Sequence, residues 1–180
     1  MEILAEKLVK FHTEVNQDDW VSLIEEVSKT YPLESVSRRP HLTMELPNFI
    51  SETDSDAAIQ LRSNFFKKVY NPIQQYMSIY NIDNMELKKK FVTVSKLTSG
   101  GMGLHKDDKE KDKDNFICMF YLNDNYDGGE IIFPEFNIEY KPIAGDILIY
   151  QSKFKHGVNE LLSGTRYNIG IGFKGPIQSN

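Results

Sequence analysis

Cysteine is nearly missing from this chain, basic residues are outnumbered, and no long apolar run occurs. The lone Cys118 cannot form an internal disulfide, which suits a reducing compartment. With 21 Lys and Arg against 26 Asp and Glu, the net charge is −5. That balance disfavours a nucleic-acid backbone as the main partner, because phosphate binding normally needs a basic face. Without a run of about 18 apolar residues, a membrane-spanning helix is excluded. Met1 to Lys7 carry acid early and no uninterrupted apolar stretch, which argues against a secretory signal, and the expectation is a cytoplasmic protein. What remains is 180 residues, 40% hydrophobic and 26% charged, the profile of a soluble single domain with a sizeable core.

The hydrophobic period changes along the chain. Residues 1–87 read as mostly helical support. Trp20, Leu23, Ile24 and Val27 follow helical spacing, with Asn16 or Asp18 available as a cap. Residues 33–53, with Pro40 and Pro47, read as loop with one short strand. From about Asp54, Leu61, Phe65, Val69, Ile73, Met77 and Tyr80 line one helical stripe, inside which Pro72 should kink or split the helix. Residues 88–175 read as mostly strand: Phe91 to Leu97, Asn115 to Leu122, Glu130 to Phe133, Ile147 to Tyr150 and Tyr167 to Phe173. Turns fall at Asp127-Gly128-Gly129, Pro142 to Gly145 and Ser163-Gly164. The pattern predicts a sandwich or barrel-like β core, a jelly roll being one solution. The charged run 106–114 reads either as a solvated surface loop or as a lid over a neighbouring site.

Of four histidines in the chain, His105 stands two residues before Asp107, at a spacing that turns both side chains to one side of a strand. His156 comes later, then Arg166. Two imidazoles and a carboxylate suit a non-haem Fe(II) site with coordination positions left open. His12 and His41 have no acidic partner at strand spacing and read as ordinary. Arg166, Asn168, Gly170 and Gly172 share one strand face, and two glycines there leave space. An arginine at such a space can hold a carboxylate by a planar two-pronged hydrogen bond. Tyr121 shares an inward face with Ile117 and Met119, and its hydroxyl needs a partner. Cys118, on the opposite face, reads as a small buried hydrophobe.

These residues, with Phe120-Tyr121-Leu122-Asn123, Asp127-Gly128-Gly129-Glu130, Lys141-Pro142-x-x-Gly145-Asp146, His156-Gly157-Val158 and Gly164-Thr165-Arg166-Tyr167, resemble the 2-oxoglutarate- and Fe(II)-dependent oxygenases. Within them the chain is similar to the prolyl 4-hydroxylase-like group, over roughly residues 88–174. The resemblance implies an α+β protein with a double-stranded β-helix (jelly-roll) core and N-terminal helices packed along one sheet. It implies Fe(II) on His105, Asp107 and His156, and 2-oxoglutarate held by Arg166 and Tyr121, with ascorbate a candidate accessory. The activity implied is hydroxylation of prolyl residues in a protein or peptide, consuming dioxygen and releasing succinate and CO₂. A free amino acid or other small molecule is the alternative substrate, and a non-catalytic cupin-type metal barrel is the alternative of another class. The chain departs from the pattern at Met102, where a tyrosine commonly stands, and at Gly172, where an aromatic is often found.

Overall fold

The computed structural model describes residues 1–35, 41–47, 54–83, 86–87, 91–107 and 115–174. Positions 108–114, most of the charged run read as loop or lid, lie outside the described residues. In chain order the elements begin β1 (Glu2–Ala5), β2 (Leu8–His12), α1 (Gln17–Val27), β3 (Glu34–Ser35), β4 (His41–Pro47), α2 (Asp56–Ile79), β5 (Glu86–Leu87) and β6 (Phe91–Leu97). They continue with β7 (Gly100–His105), β8 (Phe116–Tyr121), β9 (Asp127–Gly128), β10 (Ile131–Phe133), β11 (Ile138–Tyr140), β12 (Asp146–Gln151), β13 (His156–Ser163) and β14 (Arg166–Lys174).

Both helices form where polar caps meet an apolar stripe. The Asn16 side chain accepts the Asp18 N–H at 3.2 Å, and Asp18 and Asp19 in the first turn of α1 suit the positive end of the helix dipole. Ser55 caps α2 by accepting the Ala58 N–H at 3.3 Å. Leu61, Phe65, Val69, Ile73 and Met77 bury the expected stripe of α2, joined by Tyr76, while Tyr80, expected to continue it, is the partly buried C-cap. Pro72 does not split this helix, which runs unbroken for 24 residues. The proline is only partly buried, so solvent can serve the carbonyl that loses its N–H partner.

The first 87 residues hold more strand than their sequence suggests. β1 and β2 form a hairpin turned at Lys7, whose φ is 59°, and β2 pairs along β12 from His12↔Asp146 to Leu8↔Tyr150. Leu4, Leu8 and Phe11 also satisfy helical spacing, and the turn contains no glycine, so local pattern conceals the hairpin. β4 is a seven-residue strand paired with β6, not an irregular connection.

Among the described residues the larger sheet runs β1-β2-β12-β8-β14-β6-β4-β3, with β5 added on β14. The smaller sheet runs β11-β10-β13-β7, with β9 on β13. Helices cover one face of the larger sheet: Phe116, Cys118, Phe120 and Leu122 of the β8 region join Trp20, Ile24, Phe65 and Val69 in the main core. Trp20 meets Phe120 edge-on at 5.2 Å. The other face closes on the smaller sheet through Leu8, Tyr121, Leu148, Tyr150, Ile131 and Phe133. This antiparallel, helix-backed jelly roll is the double-stranded β-helix expected. Cys118 is fully buried, and burial pushes its thiol pKa up.

The turn into β12 is the tightest junction. Gly145 sits at φ +93°, and a Cβ there would lie 1.9 Å from the Thr13 carbonyl oxygen. Its N–H donates to Tyr121 O at 2.9 Å and its carbonyl accepts the Thr13 N–H at 3.0 Å, so one residue ties β2, β8 and β12 together. Gly145→Ala should therefore destabilise the fold by at least about 2 kcal/mol. Urea denaturation measures this, and an unchanged midpoint would contradict the packing described.

Candidate metal centre

β7 and β13 pair so that His105, the last residue of one strand, faces His156, the first of the other. Glycine permits this approach. A Cβ on Gly101 would meet Val158 O at 2.4 Å, and one on Gly157 would meet Met102 O at 2.8 Å, distances no side chain tolerates. The two imidazole centroids lie 4.4 Å apart. Asp107 lies beyond the end of β7 in a bend, so the chain presents it by a turn and not by strand alternation. Its Oδ1 is 3.6 Å from His105 Nε2 and its Oδ2 3.5 Å from His156 Nε2. One ligand atom from each of the three lies within 4.8 Å of the others.

The histidines are oriented in the same way. His105 Nδ1 bonds Gly103 O at 2.9 Å, and His156 Nδ1 bonds Phe154 O at 3.0 Å. A donating Nδ1–H leaves the lone pair on Nε2, the atom that faces the cluster. Burial lowers the pKa of His156, against the pull of the Asp107 carboxylate, and so favours the neutral, ligating form. Two imidazole nitrogens and a carboxylate, open on one side to a mouth lined by Thr43, Thr93, Ile117 and Gly172, fit a divalent iron with exchangeable positions.

Behind the cluster lies a small inner cavity, mostly apolar, shared by both sheets. Arg166 and Tyr121 line it. Arg166 is only 4% exposed. Its Nη1 donates to Gly129 O at 3.0 Å, and its guanidinium lies over the Tyr121 ring at 5.0 Å. Arg166 Nε and the Tyr121 hydroxyl are buried without a hydrogen-bond partner. No carboxylate among the described residues pairs with this guanidinium. Burying a charge and a phenol unpaired is costly, and a carboxylate placed between them would satisfy both. Burial raises the Tyr121 pKa, opposed by the charge and the close N–H groups of Arg166, which approach the hydroxyl without the geometry of a hydrogen bond, so the phenol is a donor.

The other motif residues hold this geometry. Asn123 Oδ1 accepts the Tyr167 N–H at 2.8 Å while Nδ2 donates to Thr165 O at 2.6 Å, fixing where β14 starts and hence where Arg166 sits. Gly128 and Gly129, both at positive φ, carry the carbonyl that holds the guanidinium. Asp146, 1% exposed, accepts from Ile143 N at 3.0 Å and from the Tyr140 hydroxyl, and its Oδ1 lies 3.0 Å from His12 Nδ1. Asn168, Gly170 and Gly172 line the cavity and its mouth, as strand alternation predicts. The space over Gly170 is not empty, however: the Met119 Sδ lies 3.2 Å from where a Cβ would stand, so glycine admits a neighbour as well as a ligand.

Two residues belong to the site that sequence spacing did not disclose. His41, read as ordinary, is buried in the cavity wall, where it lines the inner cavity and the mouth. It pairs with Leu97, which on its other side pairs with Arg166. Tyr150 on β12 lies 3.4 Å by its hydroxyl from His156 Nε2. Both positions follow from long-range strand pairing, and the one usable signal was a phenol on the inward row of a buried strand.

No protein-family profile matches the chain. A PKHD-type hydroxylase of Prochlorococcus marinus (strain MIT 9312) is 47% identical over 54 residues, 29% of this chain and 24% of that relative. The chain thus matches about a quarter of the length of its curated relative. Among solved structures, the viral collagen prolyl hydroxylase of Paramecium Bursaria Chlorella virus-1, in complex with 2-oxoglutarate, superposes with a TM-score of 0.65. It is 19% identical, over 93% of this chain and 95% of that one. The Trichoplax adhaerens prolyl hydroxylase in complex with a hypoxia inducible factor peptide fragment gives a TM-score of 0.62 at 13% identity, over 94% and 83%. The chain therefore has the fold of the 2-oxoglutarate- and Fe(II)-dependent oxygenases, prolyl hydroxylases among them.

Proposed function

We propose that this protein is an Fe(II)- and 2-oxoglutarate-dependent dioxygenase that hydroxylates a C–H bond of prolyl residues in a protein or peptide. His105, Asp107 and His156 would hold the metal; Arg166 and Tyr121 would hold the distal carboxylate of the keto acid. When bound, iron and keto acid would supply oxidative decarboxylation by dioxygen, giving succinate and CO₂, coupled to hydroxylation of the substrate. The chain itself contributes position and dryness: a pair of imidazoles with Nε2 turned to the cluster, a buried cation, and apolar walls that keep water from the reacting centre.

The observation that carries this reading is the unpaired, buried Arg166 beside the unsatisfied Tyr121 hydroxyl, in a cavity that also touches His156. A cupin-type barrel that only binds metal has no need for such a cation. Support for a prolyl substrate comes from the two structural neighbours that are prolyl hydroxylases; the curated relative supports a hydroxylase. A second reading, a free amino acid or other small polar molecule, is favoured by the lining of the mouth, where His41, Thr43, Thr93 and Ser95 offer hydrogen bonds to a compact substrate. Incubating the Fe(II)-loaded protein with 2-oxoglutarate and proline-containing peptides, then free amino acids, decides between them. Succinate formation stimulated by a peptide that gains one oxygen atom supports the first reading; stimulation by free amino acids alone supports the second.

Two outcomes test the site. Mn(II) at a hundredfold its Kd should stabilise the protein against unfolding by about 2.7 kcal/mol. In Asp107→Ala that stabilisation should be absent, and a shift of equal size in calorimetry would place the metal elsewhere. Arg166→Ala should weaken 2-oxoglutarate binding by about 2–5 kcal/mol with metal affinity nearly intact, and Tyr121→Phe by about 0.5–1.5 kcal/mol. Titration calorimetry on the metal-loaded variants measures both; an Arg166→Ala variant that binds as tightly as the parent contradicts the anchor.

A further inference from the structure

Resting on that functional reading, we propose that Tyr150 is a positioning residue whose hydroxyl donates a hydrogen bond to the metal-chelating end of 2-oxoglutarate. The phenol is 1% exposed and its ring is fixed edge-on between Phe133, at 5.1 Å, and His156, at 5.0 Å. Among the described residues its hydroxyl has one hydrogen-bond partner, His156 Nε2 at 3.4 Å.

That partner is the atom a metal must take. His156 Nδ1 is committed to Phe154 O, so the lone pair that accepts from Tyr150 is the lone pair available for coordination. A metal on Nε2 removes the acceptor, and a buried hydroxyl stripped of its acceptor is costly. Metal loading therefore turns the phenol toward another acceptor within reach.

Asp107 is the poorer choice. Its two carboxylate oxygens already face the Nε2 atoms of the two histidines, at 3.6 and 3.5 Å, and so are directed at the position the metal would occupy. Tyr150 lines the inner cavity together with Tyr121 and Arg166, and lines the mouth together with His105 and Asp107. It stands where a dicarboxylate anchored at Arg166 would reach the cluster. Met102, which lines the same two spaces, offers no donor there.

The test is Tyr150→Phe, which keeps the ring and removes only the oxygen. Mn(II) affinity and then 2-oxoglutarate affinity of the manganese-loaded protein are measured by titration calorimetry. The absorption band of the anaerobic Fe(II) protein with 2-oxoglutarate is recorded beside them. The expected result is Mn(II) affinity equal to the parent or a few-fold tighter, because a competitor for the Nε2 lone pair is gone. 2-Oxoglutarate affinity should fall roughly tenfold, and the absorption band should move. Weakened Mn(II) binding with unchanged 2-oxoglutarate affinity and an unmoved band would overturn the proposal and leave Tyr150 as a prop for the metal ligands. Unchanged values throughout would overturn it as well. A parent protein that binds Mn(II) but not 2-oxoglutarate would instead overturn the functional reading, and this inference with it.

Discussion

The pairing of His156 with His105 across β7 and β13 brings two imidazoles together at the junction of the two sheets, and the other features of the site are arranged around that register. A slip of one residue in either strand would turn one imidazole to the outer face. The strands are kept from slipping by their own irregularity: bulges on either side of Val158 and Met102, made possible by glycines at 101 and 157 that admit backbone where a Cβ would collide. Asp107 then needs only a short bend to complete the cluster, because the strand has already delivered the chain to the right place.

The second constraint is electrostatic. A guanidinium that is almost wholly buried, with no carboxylate beside it among the described residues, is an expense in stability that a fold without a ligand would have no reason to keep. The sequence invests several residues in holding it there. Asn123 fixes the start of β14, Gly129 supplies a carbonyl, and the Tyr121 ring offers its face. Asn123 and Tyr121 reach it because β8 and β14 are neighbours in the larger sheet, and Gly129 because its N–H is held by Glu160 O on β13 of the smaller sheet. The histidine–aspartate cluster and the buried cation thus sit on different sheets, and the cavity between them is the space the two sheets enclose.

Much of this architecture was legible in local pattern. The strands that carry Tyr121, Arg166 and the core row of β8 are long, apolar and alternating, so both their existence and the direction of their side chains could be read. The helical stripes of α1 and α2 were equally plain. The N-terminal hairpin was not, because Leu4, Leu8 and Phe11 fit helical spacing too, and Lys7 takes the turn without a glycine to announce it. Nor does β7 look like a strand by propensity: Gly100, Gly101 and Gly103 weaken it, and the reason for one of them, the contact of Gly101 with the β13 backbone, is visible only in three dimensions. Asp107 joined the cluster for a reason other than strand alternation. His41 and Tyr150 were missed because their places depend on pairings across the larger sheet, β4 on β6 and β2 on β12 on β8, which no spacing within one segment encodes.

The proposed chemistry requires a single dicarboxylate to span the space between the histidine–aspartate cluster and Arg166. The most direct measurement is a crystal structure with Mn(II) and 2-oxoglutarate, with the metal located by its anomalous signal. The result expected is one manganese within roughly 2.3 Å of His105 Nε2, a carboxylate oxygen of Asp107 and His156 Nε2, with the far carboxylate of the keto acid on Arg166 and Tyr121. A metal bound elsewhere, or a keto acid whose far carboxylate leaves Arg166 unpaired, would contradict it.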